Sequence, residues 1–169
     1  TNRAAEYERE LTDRGVSVSI SGRVNAEAAA AGNVVVTAVP PYHLVDTIES
    51  VAENLTPETI LVSPAVGMQR DEAGMHYNRP GAGSVTALAN SAAPAGVEVV
   101  GAFHNLAAGR LANLDVDLSM DVLLVGDGAP VEIVADLAEA IDGLGTLYAG
   151  PIENAPEVEG LTPLLINLA

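Results

Sequence analysis

Apolar residues recur along the chain in two alternating rhythms, a short β-type run and then a longer helical stripe. Residues 4–13 read as the end of a helix that stops near Gly15. Val16, Val18 and Ile20 alternate with serine, the pattern of a half-buried strand. Asn25 is placed to cap a short alanine-rich helix over 26–31, with Gly32 as its stop. Residues 34–39 (Val-Val-Val-Thr-Ala-Val) predict a strand buried on both faces. A helix over 41–55 follows, with Leu44, Ile48, Val51 and Leu55 on one stripe.

The alternation continues to the end. A strand is predicted over 59–63, a long loop containing Gly and Pro over 64–83, and a helix over 84–92. A strand over 97–102 runs directly into His104-Asn105, and residues 106–114 read as helical. A strand over 121–125 precedes a helix over 129–144, with Ile133, Leu137 and Ile141 in register. A short strand over 146–149 and a helix from 153 to the apolar C-terminus complete the pattern. Strands alternating with helices specify βαβ units, so the expected fold is α/β, a Rossmann-type, mainly parallel sheet with helices on both faces. The expected organisation is one domain over 1–169. The first βαβ element is expected to precede Thr1, and the uncapped apolar end reads as continuing past Ala169.

Composition narrows the function. Acidic residues number 23 against seven basic ones, all of them Arg, for a net charge of −16. Such a surface repels phosphate backbones and anionic lipid, which argues against a nucleic-acid or membrane partner. Acid excess without Lys suits a protein adapted to a salt-rich cytoplasm, where the Debye length falls to roughly 3 Å near 1 M. Aromatic residues are few, with four Tyr, one Phe and no Trp, so base-stacking and sugar platforms lack material. The absence of Cys excludes disulfides and thiolate chemistry. No apolar run reaches the ~18 residues of a membrane span, and the chain opens on an Arg/Glu-rich segment unlike a signal peptide, so a cytoplasmic location is expected.

Familiar chemical motifs are scarce. Gly126-Asp127-Gly128 sits between a strand and a helix, but Val131 occupies the third glycine position and Asp127 would oppose a phosphate, so a tight turn is expected. Gly81-Ala82-Gly83-Ser84 follows a loop and is a weaker candidate for phosphate binding. His43, His76 and His104 lack metal-site spacing, and nothing matches G-x-S-x-G. What remains is positional. Val39-Pro40-Pro41-Tyr42-His43, Ser63-Pro64-Ala65-Val66 and Gly101-Ala102-Phe103-His104-Asn105 each end a strand, where this architecture places its ligands. Pro and His rather than charge at three such ends describe an apolar crevice, which suits a flat ring system better than a hydrolytic site.

At these strand ends the sequence resembles the reductases that pass hydride between coenzyme F420, a deazaflavin, and NADP. The matching stretches run in order: 3–7, 34–46 with its Val-Pro-x-x-His core, 60–64, 102–108 (Ala-Phe-His-Asn-Leu-Ala-Ala), 110–115, 125–127, 141–144, 149–151 and 161–167. The resemblance implies that Val39, Pro40, His43, Val66 and Ala108 line the NADP site, and that the deazaflavin stacks near His104, Asn105 and Leu106. It implies no catalytic side chain and no metal, since hydride transfer between two bound rings asks the protein for alignment and exclusion of water. A homodimer also suits the family.

Leu106 stands where the family pattern leads one to expect Ile, and Pro41-Tyr42 where a Trp-Glu pair occurs. The phosphate-gripping turn of the family is expected before Thr1. Two other readings stand beside the resemblance. One is an NADP-dependent imine or ferric reductase; the other is a non-catalytic interaction domain that uses the apolar stretch 161–168 as a partner surface.

Overall fold

A computed structural model of the chain describes residues 2–169. Its strands are β1 (Val34–Val36), β2 (Ile60–Ser63), β3 (Met68–Asp71), β4 (Gly74–Tyr77), β5 (Glu98–Gly101), β6 (Met120–Leu124) and β7 (Leu144–Tyr148). Its helices are α1 (Asn2–Asp13), α2 (Asn25–Ala29), α3 (Leu44–Val51), α4 (Val85–Ala92), α5 (Ala108–Leu111), α6 (Ala129–Glu139) and α7 (Ala155–Leu168).

The centre is a parallel sheet in the order β1-β2-β5. Val34 pairs with Ile60, Ile60 with Glu98, and Ser63 with Gly101. Strand β2 is buried at every position, and its side chains alternate between two cores as the pleat requires. Leu61 and Val99 pack with Leu44, Ile48, Val85 and Ala89, so α3 and α4 cover one face. Ile60, Val62 and Val100 pack with Val131, Val134 and Ala138, so α6 covers the other. Complete burial of a Leu or Ile such as Leu44 or Ile48 contributes about 1.5–3 kcal/mol each. The parallel pair β6-β7 joins the edge of β5 through a reciprocal bridge, Gly101 N to Val125 O at 2.8 Å and Val125 N to Gly101 O at 2.9 Å. The α/β fold with parallel strands and helices on both faces is as the periodicity predicts.

Several local expectations are corrected. The alternating Val16, Val18 and Ile20 form no strand: Val16 and Val18 are exposed, and the segment finds no neighbouring strand to complete its hydrogen bonds. Asn25 is the first residue of α2 rather than its cap, and the cap position, Val24, offers no side-chain acceptor. Strand β1 is three residues long, and Val36 is half exposed because β1 lies at the edge of the three-stranded sheet. The predicted 41–55 helix is divided by short 3₁₀ turns, Pro41–His43 before α3 and Ala52–Asn54 after it, yet Leu44, Ile48, Val51 and Leu55 are all buried. The loop 64–83 contains the antiparallel hairpin β3-β4. The helix expected over 106–114 contracts to the single turn α5. On α6 the buried stripe is Val131, Val134 and Ala138, while Ile133 and Leu137 face outward; the register is shifted because Ala138 is the residue that fits against the sheet.

Candidate functional site

The parallel alignment of β1, β2 and β5 brings three turns to one carboxyl edge. Backbone bonds lock them side by side: Thr37 N donates to Val62 O at 2.9 Å, and Ala102 N donates to Ser63 O at 3.2 Å. The buried Thr37 adds a second bond, Oγ1 to Val62 O at 3.0 Å. Three strand ends are therefore one continuous rim, as the doubly wound architecture requires of a ligand site.

The first turn carries Val39, Pro40 and His43. Val39 is half-buried against the α3/α4 core, and its N–H donates to Thr37 O at 2.8 Å. Pro40 is exposed, and its carbonyl accepts from His43 N at 2.9 Å, closing the 3₁₀ turn that starts α3. The His43 ring is exposed and tilts against Tyr42, with centroids 4.4 Å apart. The second turn buries Ser63, Ala65 and Val66. Gly67 beyond them must be glycine, since a Cβ there would run into the backbone carbonyl of Asn78.

The third turn holds the polar groups. Phe103 has φ 64°, a left-handed conformation that a bulky residue adopts at a cost of about 1–3 kcal/mol and that concentrates at functional sites. This sharp turn sends His104 inward and Asn105 toward β6, where Asn105 Nδ2 donates to Asp121 O at 2.8 Å. His104 is 4% exposed, and burial pushes its pKa down to about 4, so the ring is neutral at pH 7. Its ring is therefore held inside, and Leu106, half-buried against the α6 core beside Phe103, offers the apolar surface of this turn. Ala108, exposed at the start of α5, lines a different depression of about 380 Å³ together with Tyr7, Leu11, Ile20, Leu111 and Leu114. The structure thus gathers Val39, Pro40, His43, Val66, His104, Asn105 and Leu106 along the rim and sets Ala108 against the α1 side.

Among the described residues, three buried side-chain atoms have no hydrogen-bond partner: Ser63 Oγ, His104 Nδ1 and Asn105 Oδ1. All three lie just at or after the paired ends of β2 and β5. Buried polar atoms are almost always paired, so each of these three calls for a partner that water or a ligand would supply.

Residues the sequence reading passed over also hold this site. Glu159 of α7 is fully buried and accepts bonds from Tyr77, Val85 and Thr86. Those bonds occupy the first N–H groups of α4, and Ser84 Oγ takes that of Ala87, so the helix N-terminus that follows the Gly81-Ala82-Gly83-Ser84 loop is capped by side chains rather than open to a phosphate. Burial and the Glu159 carboxylate both raise the pKa of Tyr77. A signal for Glu159 existed: it falls on the same stripe of α7 as Ala155, Val158 and Pro163, the face that is buried. The turn at Gly126 and Gly128, with φ 151° and 66°, is a tight βα turn as expected.

Comparison with known proteins follows the same lines. Residues 1–67 match the family described as NADP oxidoreductase, coenzyme F420-dependent. The chain is 32% identical to the F420-dependent NADP reductase of Methanothermobacter thermautotrophicus, over 99% of this chain and 73% of that protein. It is 31% identical to the F420-dependent NADP reductase of Methanocaldococcus jannaschii, over 94% of this chain and 71% of that protein. A solved structure from Arthrobacter superposes with a TM-score of 0.73 at 22% identity, covering 86% of this chain and 68% of its own. An imine reductase from Bacillus cereus superposes at 0.53 and 18% identity, over 98% of this chain and 48% of its own, a likeness of fold alone.

Proposed function

The chain belongs to the coenzyme F420-dependent NADP oxidoreductase family, and from that membership we propose that it transfers hydride between reduced coenzyme F420 and NADP, both bound at the carboxyl rim of the β1-β2-β5 sheet. The observation that carries the location is the trio of unpartnered buried atoms, Ser63 Oγ, His104 Nδ1 and Asn105 Oδ1, at adjacent strand ends. These are acceptors and a hydroxyl without a charge among them, which fits the amide edges of nicotinamide and deazaflavin rings better than a phosphate.

When bound, the two cofactors supply the hydride donor and its acceptor. The chain's own residues bind and orient. Val39, Pro40, His43, Val66 and Ala108 form the NADP side in this reading, and His104, Asn105 and Leu106 form the deazaflavin side. Val39 and Leu106, both half-buried, present apolar surface that keeps water from the reacting faces, while Asn105 is steadied by its bond to Asp121 O. No side chain needs to exchange a proton in a direct hydride step, consistent with a neutral, buried His104.

The wider reading is of one domain over 1–169 working in a salt-rich cytoplasm. Net charge −16 without Lys supports it and disfavours nucleic acid as a partner. No described helix is long and apolar enough to cross a membrane. A homodimer through α7 fits the outward-facing Leu161, Leu164, Leu165, Ile166 and Leu168.

The test is the loss of deazaflavin absorbance when NADPH is added to the purified protein in concentrated KCl, with NADH in parallel. Loss with NADPH supports the reaction. No change in a protein shown to be folded would overturn it in favour of an imine or ferric acceptor.

A further inference from the structure

Glu159 sits in the second turn of α7 with no exposure to solvent, and both of its oxygens are engaged. Oε2 accepts from Tyr77 Oη at 2.8 Å and from Val85 N at 2.9 Å. Oε1 accepts from Thr86 N and from Thr86 Oγ1, each at 2.9 Å. A threonine hydroxyl has one proton, and here it is committed to the carboxylate. His104 Nε2 lies 3.2 Å from the same Thr86 Oγ1. With its proton spent, Oγ1 has only lone pairs to offer, so Nε2 must carry the ring's hydrogen and donate it. Nδ1 is then the bare nitrogen, and it is the atom left buried and unpartnered.

The surroundings are shaped to keep this arrangement. Thr162 Oγ1, one turn after Glu159 on α7, donates to His104 O at 2.8 Å, so the same helix holds the residue by backbone and by ring. A Cβ at Gly101 would meet His104 Cε1 and Thr86 Cγ2, each at 2.9 Å; the glycine leaves the space in which ring and hydroxyl meet.

We propose that Glu159, acting through Thr86, is a positioning residue that fixes His104 as the Nε2–H tautomer and so makes Nδ1 an obligatory acceptor for an amide or ring N–H of a bound cofactor. The inference rests on the rim being the cofactor site. The neutral ring that burial enforces supports it. A carboxylate behind a hydroxyl behind an imidazole sets the tautomer in the way that second partners set metal-bound histidines. Both the nicotinamide carboxamide and the deazaflavin pyrimidine ring carry such an N–H, and the experiment separates them.

The ring nitrogens are read by ¹⁵N NMR of the full chain labelled at histidine, with His43 and His76 assigned by substitution. The expected spectrum at neutral pH has Nε2 protonated and Nδ1 bare. Thr86→Val keeps the shape and the backbone bond but removes the hydroxyl, and should release the tautomer; Thr86→Ser should restore it. Oxidised NADP and oxidised deazaflavin are then added separately, and the one whose N–H meets Nδ1 should move that resonance toward its hydrogen-bonded position. In turnover, Thr86→Val should lower kcat about tenfold with a smaller change in KM, the size of one lost hydrogen bond, and Thr86→Ser should recover most of it. A wild-type Nδ1–H tautomer, or a Thr86→Val spectrum identical to wild type, overturns the clamp. An Nδ1 resonance that neither cofactor moves overturns the acceptor role. The tautomer is read without turnover, so an inactive protein with the tautomer held would sink the proposed reaction and not the clamp.

Discussion

Asn167, near the end of α7, pairs with the backbone of Met75 as a neighbouring strand would: its Nδ2 donates to Met75 O at 2.7 Å, and its Oδ1 accepts from Met75 N at 2.8 Å. One side chain thereby closes the free edge of the β3-β4 hairpin and ties it to the helix that carries Glu159. Gly74 leaves room for it, because a Cβ there would meet Asn167 Oδ1 at 2.6 Å on a backbone with φ 121°. Asn167→Asp removes the donor and sets a carboxylate against a carbonyl. The expected result is faster amide exchange at Met75 and a loss of about 0.5–1.5 kcal/mol in urea unfolding, kept modest because the pair is exposed. Unchanged exchange at Met75 would show the hairpin is held by something else.

His104 makes stability depend on pH. Its folded pKa is near 4, below the 6.5 of an unperturbed ring, and burial is the cause. Between those values the unfolded chain takes up a proton that the native protein refuses. Stability is thus whole above about pH 6.5, falls as the pH drops toward 4 by roughly 3 kcal/mol in all, and levels off below for this group. The carboxyls of Asp71 and Asp115, held low by their backbone or Arg14 partners, act at more acid pH and are exposed. Urea midpoints of wild type and His104→Gln, measured from pH 7.5 to 4, should converge as the pH falls. Parallel curves would take the dependence away from His104.

Gly101→Ala adds one methyl where Val125 Cγ2 stands at 2.6 Å and where His104 and Thr86 each stand at 2.9 Å. None of these is a flexible tip, so the cost should be about 1–3 kcal/mol of overpacking. His104 should move most, because its ring has the lone contact with Thr86 to lose. A lowered midpoint with a changed His104 ring signal is the expected pair of results; wild-type stability would mean the turn at Phe103 relaxes to absorb the methyl.

How much of this was readable beforehand depends on where each residue's partner lies in the chain. The α3 stripe of Leu44, Ile48, Val51 and Leu55 was legible because helix period and burial agree within one element. Val16, Val18 and Ile20 misled because alternation signals a strand only when a neighbour supplies hydrogen bonds, and none of the described strands does. On α6, Val131/Val134/Ala138 and Ile133/Leu137 are both helical stripes, and only the sheet decides which is buried. The rim residues were legible as strand ends. The clamp was not, since Glu159 reaches Thr86 across 73 residues of sequence; its place on the apolar stripe of α7 marks it as buried but does not name its partner.

Salt should raise stability. With 23 acidic and seven basic residues, the native fold concentrates like charge that the expanded chain spreads out. Screening at molar KCl shortens the Debye length to roughly 3 Å and removes most of that repulsion. Thermal midpoints should climb steadily from low to multimolar KCl. A flat profile would leave the acid excess as composition without adaptation.

The sharpest test of the rim itself is His43→Ala. The ring is exposed and rests against Tyr42, so its removal should change stability by no more than about 0.5 kcal/mol. Its neighbours are nevertheless fixed: His43 N bonds to Pro40 O at 2.9 Å, and Leu44 beside it is fully buried. A side chain held from a rigid turn at the rim, yet contributing little to the fold, is free to serve a ligand. If it contacts the nicotinamide nucleotide, its loss should raise the KM for NADPH about tenfold, roughly 1.4 kcal/mol, with a smaller effect on kcat, because a binding contact present in ground and transition states alike is what has gone. Steady-state kinetics with deazaflavin as acceptor separates the two parameters. A KM equal to wild type in an equally stable protein would take His43 out of the site and move the nucleotide toward the Val66 and Asn105 side of the rim.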